Sequence, residues 1–177
     1  RVGRADLDAV DAALPVAWHP MSLHMHLSDA LRDVVGPERN VRVWTATMAA
    51  RAGEVWGVEI VPEAIADAER NAERNGIANA RFMAGSARTG VRPLIEEAGR
   101  PDVVLLDPPR PGLSQKIVRR VLECEAKRIV YVSCNPTTLA PNAAQLVEAG
   151  YTLRRVRPVD MFPQTPHIEC VALLERV

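Results

Sequence analysis

The sequence lacks the charge excess that marks many nucleic-acid-binding domains. Its 22 lysines and arginines balance 22 aspartates and glutamates, so the formal net charge is zero. A protein of this composition does not hold nucleic acid by bulk charge alone, although a local basic face remains possible. The two local candidates are the basic runs Arg119–Arg120 and Arg154–Arg157.

Paired cysteines and long apolar runs are also absent. Cys124, Cys134 and Cys170 form no CxxC pair and no Cys/His ligand spacing, which argues against a disulfide framework and a zinc site. No run approaches the length of a membrane span, and no secretory signal is visible. We expect a reduced, cytoplasmic, monomeric protein with no metal and no membrane contact. Because the chain begins with Arg1 and not Met, we also expect a fragment or a processed chain.

The fold class follows from position 41 onward, where short apolar runs alternate with helical segments. This alternation is typical of a parallel α/β sheet. The predicted strands are Val41–Trp44, Val55–Ile60, Ala80–Met83, Asp102–Leu106, Ile129–Val132, Tyr151–Val156 and Ile168–Leu174. The last two have no helical pattern between them and are predicted to pair as an antiparallel hairpin at the sheet edge. The pattern predicts a doubly wound, Rossmann-like sheet of about seven strands. By analogy at the level of the fold, this is the sheet of class I methyltransferases.

Residues 1–40 are predicted to be a partial N-terminal segment that leads into a catalytic domain at 41–177. Within this segment Leu23–Val35 has the spacing of an amphipathic helix, with Gly36 and Pro37 after its end.

A glycine-rich turn is missing after the first predicted strand. A cofactor-binding sheet places such a turn there, preceded by an acidic residue. Only ten residues separate Trp44 from Val55, and Gly53 is the only glycine among them. A crossover needs roughly 10–12 residues at the least. We interpret this as a loop omitted near Trp44–Thr45 and not as a lost motif.

Cys134 stands at a favourable position for a nucleophile. It follows the apolar run Arg128–Val132 and precedes Asn135-Pro136, where a helix is predicted to begin. Ligands of open α/β sheets bind at this carboxyl edge, and a helix N-terminus favours a thiolate over a thiol. A small buried residue at a strand end is the competing interpretation.

Three acidic residues are predicted to share that edge. Glu59 ends the second strand, where an acid can accept hydrogen bonds from ribose hydroxyls. Asp107 opens the stretch Asp107-Pro108-Pro109-Arg110, whose prolines make a rigid lip. Glu169 enters the last strand from its exposed end, and partial burial there would raise its pKa and suit it to proton transfer.

Together these features resemble the RNA 5-methyluridine methyltransferase family. The resemblance covers about Val41 to Val177. It rests on several stretches that stand here in the family's order, namely Gly57-Val58-Glu59, Asn71-x-x-x-Asn75-Gly76, Asp107-Pro108-Pro109-Arg110-x-Gly112, Tyr131-Val132-Ser133-Cys134-Asn135-Pro136-x-Thr138-Leu139, Asp160-Met161-Phe162-Pro163-Gln164-Thr165 and His167-x-Glu169.

The resemblance implies methylation of uracil C5 in tRNA or rRNA with S-adenosylmethionine as cofactor. Cys134 would add to C6 of the base, and Glu169 would remove the C5 proton as general base. Glu59 and Asp107 would contact the cofactor, and Asp107, Arg110 and Asn135 would contact the substrate. Ser86 stands where the family usually has an acid near the adenine.

Two kinds of alternative remain open from the sequence. One is a base methyltransferase of other specificity, although Arg110 in place of an aromatic residue and the presence of Cys134 disfavour an exocyclic-amine enzyme. The other is a catalytically degraded module of the same fold that only binds RNA. The region after Val43, without its glycine-rich turn, is the feature that favours this second alternative.

Overall fold

A computed structural model describes residues 48–49, 52–160, 164–165 and 167–177, together with the backbone of 21–25. Its strands are β1 (Met21–Met25), β2 (Glu54–Glu59), β3 (Ala80–Ala84), β4 (Val103–Leu106), β5 (Arg128–Ser133), β6 (Tyr151–Val159) and β7 (Glu169–Arg176). The helices that connect them are α1 (Pro62–Arg74), α2 (Ala87–Ala98), α3 (Gln115–Glu123) and α4 (Pro136–Glu148).

The strands form one sheet in the order β3-β2-β1-β4-β5-β7-β6. The first five run parallel to one another, and β7 pairs antiparallel with both β5 and β6. The strand order reverses between β1 and β4, which is the switch point where such sheets bind ligands at their carboxyl edge. The predicted α/β class with a doubly wound sheet is therefore confirmed.

The core lies on both faces of the sheet, because successive strand residues point to opposite sides. Val104, Leu106, Ile129 and Tyr131 belong to a buried cluster that also contains apolar residues of α2, α3 and α4. Their strand neighbours at 103, 105, 130 and 132 pack in a second cluster with Met48. Burial on both faces explains why β4 and β5 are continuous apolar runs in the sequence.

The prediction for the first strand differs from the structure. The predicted strand Val41–Trp44 lies outside the described residues, and Met21–Met25 occupies the position between β2 and β4. The predicted helix Leu23–Val35 is wrong at its start, because residues 23–25 are in β1, and its remainder lies outside the described residues. Hydrogen-bonded neighbours on both sides of β1 outweigh the weak local preference of its sequence for a strand. The N-terminal segment thus contributes a strand to the sheet.

The other element boundaries agree with the predictions to within a few residues. The largest difference is in α2, because the helical pattern of the sequence predicts a helix over Val91–Ala98, whereas α2 begins at Ala87. Gly90 concealed that start, since glycine disfavours a helix interior. A Cβ at Gly90 would lie 3.2 Å from Cγ1 of Val58, so the glycine allows α2 to pack close to β2. No helix in the described part of the chain has both the length and the apolar character that crossing a membrane requires.

Candidate active site

Cys134 lies between the end of β5 and the start of α4. Ser133 is the last residue of β5, and Asn135 is the N-cap of α4. In the antiparallel pairing of β5 with β7, Ser133 is opposite Cys170. Cys134 follows Ser133 and Glu169 precedes Cys170, so the end of this pairing brings both residues to the carboxyl edge of the sheet. The charge of Glu169 acts on the Cys134 thiol, which shows that the two side chains lie close together there.

Asp107 reaches the same edge from β4. Leu106, the last residue of β4, pairs with Tyr131 of β5. Asp107 is therefore level with Val132, two residues before Cys134. Asp107 and Pro108 are buried, whereas Pro109 and Arg110 are exposed. The charges of Asp107, Arg110 and Glu169 all act on the Cys134 thiol, which shows that the four side chains form one electrostatic group.

The pKa of Cys134 is raised in this group. Burial is the main cause and the Glu169 carboxylate is the second, while Arg110 acts in the opposite direction. The net shift is therefore upward, and the expectation that the helix N-terminus favours a thiolate stays a prediction. Cys134 is nevertheless the least buried of the three cysteines, all of which are free thiols. Burial raises the pKa of Cys124 to about 12, so that thiol is inert.

Glu169 is 3% exposed, and burial raises its pKa to about 7. The predicted upward shift is thus confirmed. Its Oε1 atom has no hydrogen-bond partner among the described residues. A buried carboxyl oxygen without a partner is costly in a purely structural role. A carboxyl group that is half ionised near neutral pH can both take up and release a proton during a reaction.

The stretch from Asp107 to Leu113, which we call the lip, is tied to the start of α4. The carbonyl oxygen of Arg110 accepts hydrogen bonds from Nδ2 of Asn135 (3.2 Å) and from Oγ1 of Thr138 (3.1 Å). Oδ1 of Asn135 accepts from the amide of Thr137 (3.1 Å) and from its hydroxyl (2.7 Å). Asn135 therefore caps α4 and fixes the lip, and one N–H of its amide group remains for another partner.

Asn142 holds the other end of the lip, and sequence reasoning did not identify it. Its Oδ1 accepts from the amide of Leu113 (2.8 Å) and from the hydroxyl of Tyr131 (2.9 Å), and its Nδ2 donates to the carbonyl of Leu113 (3.0 Å). The side chain is buried. A polar residue between Leu139, Ala143 and Leu146 on the apolar face of α4 was the available signal.

Arg110 also approaches the start of β7. Its Nη2 lies 3.4 Å from Nδ1 of His167, two residues before Glu169. The guanidinium is exposed, and its positive charge lowers the pKa of Cys134 against the larger effect of burial.

Glu59 lies at the same edge but apart from this group. It ends β2, and its Oε1 accepts a hydrogen bond from the amide of Val61 (3.0 Å). Two strands, β1 and β4, separate β2 from β5, so three strand spacings of about 4.8 Å place Glu59 roughly 14 Å from Cys134. Beside it, the apolar side chain of Ile60 is 56% exposed, a feature that sequence reasoning missed.

The arrangement of strands and helices defines the class of protein. A precorrin-6y C5,15-methyltransferase of Geobacter metallireducens superposes with a TM-score of 0.68 at 14% identity, over 99% of this chain and 91% of that one. This likeness concerns the fold alone, which is the Rossmann-like fold of class I methyltransferases.

The family is narrower than the fold. A model of the family described as tRNA (uracil-5-)-methyltransferase matches residues 40–177, and the chain belongs to that family. The solved tRNA (uracil-54, C5)-methyltransferase of Pyrococcus abyssi, in complex with S-adenosyl-L-homocysteine, is 30% identical with a TM-score of 0.68. The superposition covers 95% of this chain and 36% of that one.

Curated relatives are closer in sequence. An uncharacterized RNA methyltransferase of Enterococcus faecalis is 50% identical over 130 residues, and one of Listeria innocua is 49% identical over 128 residues. These matches cover 73% and 72% of this chain. The matched region spans 28% of the length of each relative.

Proposed function

We propose that this chain carries the catalytic site of an RNA methyltransferase that transfers a methyl group from S-adenosylmethionine to C5 of uracil, with Cys134 as the covalent nucleophile. The observation that supports the proposal is the proximity of the Cys134 thiol to Glu169, a buried glutamate with a pKa of about 7, at the end of the β5–β7 pairing. Membership of the uracil-5 family and the likeness to a uracil-54 C5 enzyme support it.

Uracil C5 is a weak nucleophile until a thiolate adds to C6. The Cys134 thiol first loses its proton to solvent, and its sulfur then forms a bond to C6. The electron pair of the C5–C6 double bond moves towards C5 and O4, which makes C5 nucleophilic. Arg110 favours the thiolate, and protonation of Glu169 removes the charge that opposes it. The raised pKa of Glu169 therefore helps the first step.

When bound, S-adenosylmethionine would supply an electrophilic methyl group to C5, its methyl–sulfur bond breaking to leave the neutral thioether S-adenosylhomocysteine. Glu169 in its ionised form then removes the C5 proton. The electron pair of that C–H bond restores the C5–C6 double bond, and the sulfur–C6 bond breaks. Cys134 leaves as a thiolate, and the product is 5-methyluracil. One carboxyl group near pKa 7 can occupy both protonation states that the sequence of steps requires.

The residues on the cofactor side fit such a group. The half-buried carboxylate of Glu59 is an acceptor suited to ribose hydroxyls. The exposed side chain of Ile60 offers an apolar surface to a flat base. Ser86 does not replace the acid that the family usually has near the adenine, since its hydroxyl lies 2.9 Å from that of Thr89. Asp107, at the end of β4, lies between Glu59 and Cys134 in the strand order and is placed to contact cofactor or substrate.

The substrate side is formed by the lip and the start of α4. We assign Asp107, Arg110 and the remaining N–H of Asn135 to the flipped base and its flanking phosphate. A uridine cannot reach Cys134 while it is stacked, so the target is a single-stranded loop or a flipped nucleotide. We take residues 41–177, together with β1, as the catalytic domain. Its seven-stranded sheet with the terminal hairpin is the scaffold, and the target we propose is a uridine of tRNA or rRNA. The setting we propose is a cytoplasmic monomer.

The substitution Cys134→Ala tests the proposal. We expect loss of methyl transfer by at least about 10⁴-fold and no covalent RNA adduct, with binding of S-adenosylmethionine retained in calorimetry. Cys124→Ala is the matched control, because that thiol is buried in the core beside the end of α3, and it should keep turnover. Full turnover by the Cys134 variant would exclude the covalent mechanism. Absence of cofactor binding by the unmodified chain would indicate the degraded module.

A further inference from the structure

A basic cavity of about 660 Å³ lies between α2 and α3, outside the candidate active site. It includes one of the two basic runs of the sequence, Arg119–Arg120. The residues that line it are almost all long and charged, namely Arg88, Thr89, Arg92, Lys116, Arg119, Arg120 and Glu123. We call it the α2–α3 groove.

Five cations face one carboxylate in this groove, so its net charge is +4 although the chain as a whole is neutral. Glu123 accepts from Nε (2.9 Å) and Nη2 (3.1 Å) of Arg92 and also from Nη1 of Arg120. These two arginines lower the pKa of Glu123 to about 2. The carboxylate is therefore ionised at neutral pH and occupies two of the five cations.

The remaining three cations are unpaired. Within the described ranges, the side chains of Arg88, Lys116 and Arg119 have no acidic partner and no hydrogen bond. Outside the groove, most arginines in the described part of the chain form an ion pair with an acidic residue, as Arg81 does with Glu54. Unpaired cations in a concave site of one sign attract an anion of several charges.

The lining also indicates which kind of anion fits. It contains no aromatic side chain for base stacking and no large apolar side chain for the core of a protein interface. Arginine and lysine without aromatic neighbours are the residues that contact phosphates and fix the register of a nucleic acid. The groove therefore suits a phosphate backbone and not the faces of bases.

The position of the groove relates it to the candidate active site. Helices α2 and α3 run in the same direction, since Nε of Arg120 donates to the carbonyl of Arg88 and Arg92 bonds to Glu123 one turn further along. Each helix begins after the carboxyl end of a strand, and α3 follows the lip directly. Lys116, the second residue of α3, is thus at the end of the groove nearest the edge that carries Asp107 and Cys134.

We infer that the α2–α3 groove binds the phosphate backbone of the RNA on one side of the uridine that reaches Cys134. The inference rests on the proposed function, because it names a second contact surface for the same substrate. Arg88, Lys116 and Arg119 contact phosphates directly. Glu123 limits the affinity by holding Arg92 and Arg120.

The substitution Arg119→Gln tests the groove in the full chain. The probe is a fluorescein-labelled RNA hairpin with uridines in its loop, and its affinity is measured by anisotropy over a potassium chloride series. Loss of one phosphate contact should reduce the slope of log K against log salt by about 0.7 to 0.9 and weaken binding roughly fivefold at 0.15 M salt. Arg155→Gln, an exposed arginine of β6, removes the same charge elsewhere and should leave the slope unchanged.

The substitution Glu123→Gln should have the opposite effect. It frees Arg92 and Arg120 and raises the net charge of the groove by one, so the salt slope should steepen by about 0.7 to 0.9 and affinity should rise. A variant that merely unfolded would weaken binding, so a gain is specific to the groove.

Three outcomes would overturn the inference. Equal slopes for Arg119→Gln and Arg155→Gln would exclude the groove while leaving the proposed function intact, provided the unmodified chain still forms its Cys134 adduct. If Arg119→Gln lost binding to a polyglutamate peptide but kept its binding to the RNA hairpin, the groove would be assigned to an acidic protein. No RNA binding by the unmodified chain would exclude both the groove and the proposed function.

Discussion

Glu169 at the sheet edge and Glu123 in the α2–α3 groove are the same residue type in opposite surroundings. Burial without a cation raises the pKa of Glu169 to about 7, whereas two arginines lower the pKa of the half-buried Glu123 to about 2. The first group changes its protonation state near neutral pH, and the second stays ionised. Desolvation of the carboxylate thus makes a site for proton transfer, whereas pairing of the carboxylate with arginines makes a site of fixed charge.

The two regions also differ in how they are held. The lip and α4 are fixed by buried hydrogen bonds of Tyr131 and Asn142, which exclude water. The groove is held by exposed ion pairs, which are weak and screened by salt. Precise positioning is needed where bonds form, whereas a phosphate chain tolerates movement of its partners.

Of the changes that test this comparison, removal of the charge at Glu169 should have the largest effect on turnover. Glu169→Gln keeps the shape but cannot accept the C5 proton, so we expect turnover to fall by about 10²–10⁴-fold. The covalent RNA adduct should accumulate, because its formation needs only Cys134. Denaturing gel electrophoresis with labelled RNA measures the adduct.

Glu148→Gln, an exposed glutamate at the end of α4, serves as the control and should resemble the unmodified chain. If Glu169→Gln formed neither adduct nor product, the residue would be required before or during thiolate addition. Its assignment as the base of the last step would then be wrong.

The pH dependence of stability is the second and smaller effect. A glutamate ordinarily titrates near 4.5, and Glu169 titrates at about 7 in the folded chain. Between these values the folded state binds more protons than the unfolded state, so the free energy of unfolding falls as pH rises from about 4.5 to 7 and is level above. The contribution is at most about 3 kcal/mol.

Urea unfolding at pH 5 and pH 8 measures this decrease, and Glu169→Gln should remove most of it. Glu123 acts with the opposite sign. Because its folded pKa is lowered, its stabilisation is present above pH 4.5 and is lost only as pH falls towards about 2. If the free energy of unfolding fell equally between pH 5 and pH 8 in Glu169→Gln and in the unmodified chain, another group would be responsible for the decrease.

The sequence predicted those parts of the molecule that depend on local pattern. Apolar runs predicted β2 to β7, and the pair Asn135-Pro136 predicted the start of α4. Strand ends at a common edge predicted that Asp107, Cys134 and Glu169 would lie together. Met21–Met25 alternates apolar and polar residues, but the run is short and Leu23 also fits the helical spacing of the residues that follow, so the strand was missed. Its place in the sheet is set by β2 and β4 on either side.

Effects that depend on several segments at once were not predictable. The direction of the Cys134 pKa shift follows from burial and from Glu169, which lies 35 positions away in the chain. The hydrogen bonds of Asn142 to Leu113 and Tyr131 join a loop, a helix and a strand. The α2–α3 groove exists because Arg88 and Arg92 on one helix meet the run Arg119–Arg120 on another, and only the latter was visible as a run.

The rigidity of the lip can be tested with two glycines of similar backbone conformation. Gly112, with φ of +74°, and Gly76, with φ of +66°, both occupy the left-handed region. Gly76→Ala should cost only this backbone strain, about 1–2 kcal/mol, because nothing lies within 4 Å of the new Cβ. At Gly112 the Cβ would meet Oδ1 of Asn142 at 2.7 Å and Cβ of Thr138 at 3.0 Å.

Gly112→Ala should therefore destabilise the fold by about 1–3 kcal/mol more than Gly76→Ala in urea unfolding. It should also lower turnover by about 10–100-fold, because it displaces the lip that places Arg110 beside Cys134. Gly76→Ala should not change turnover, since Gly76 follows α1 at the opposite edge of the sheet. If the two variants lost equal stability and turnover was unaffected, Asn142 and Thr138 would be able to move aside. The lip would then be as flexible as the groove, and the two regions would not differ in how precisely their side chains must be positioned.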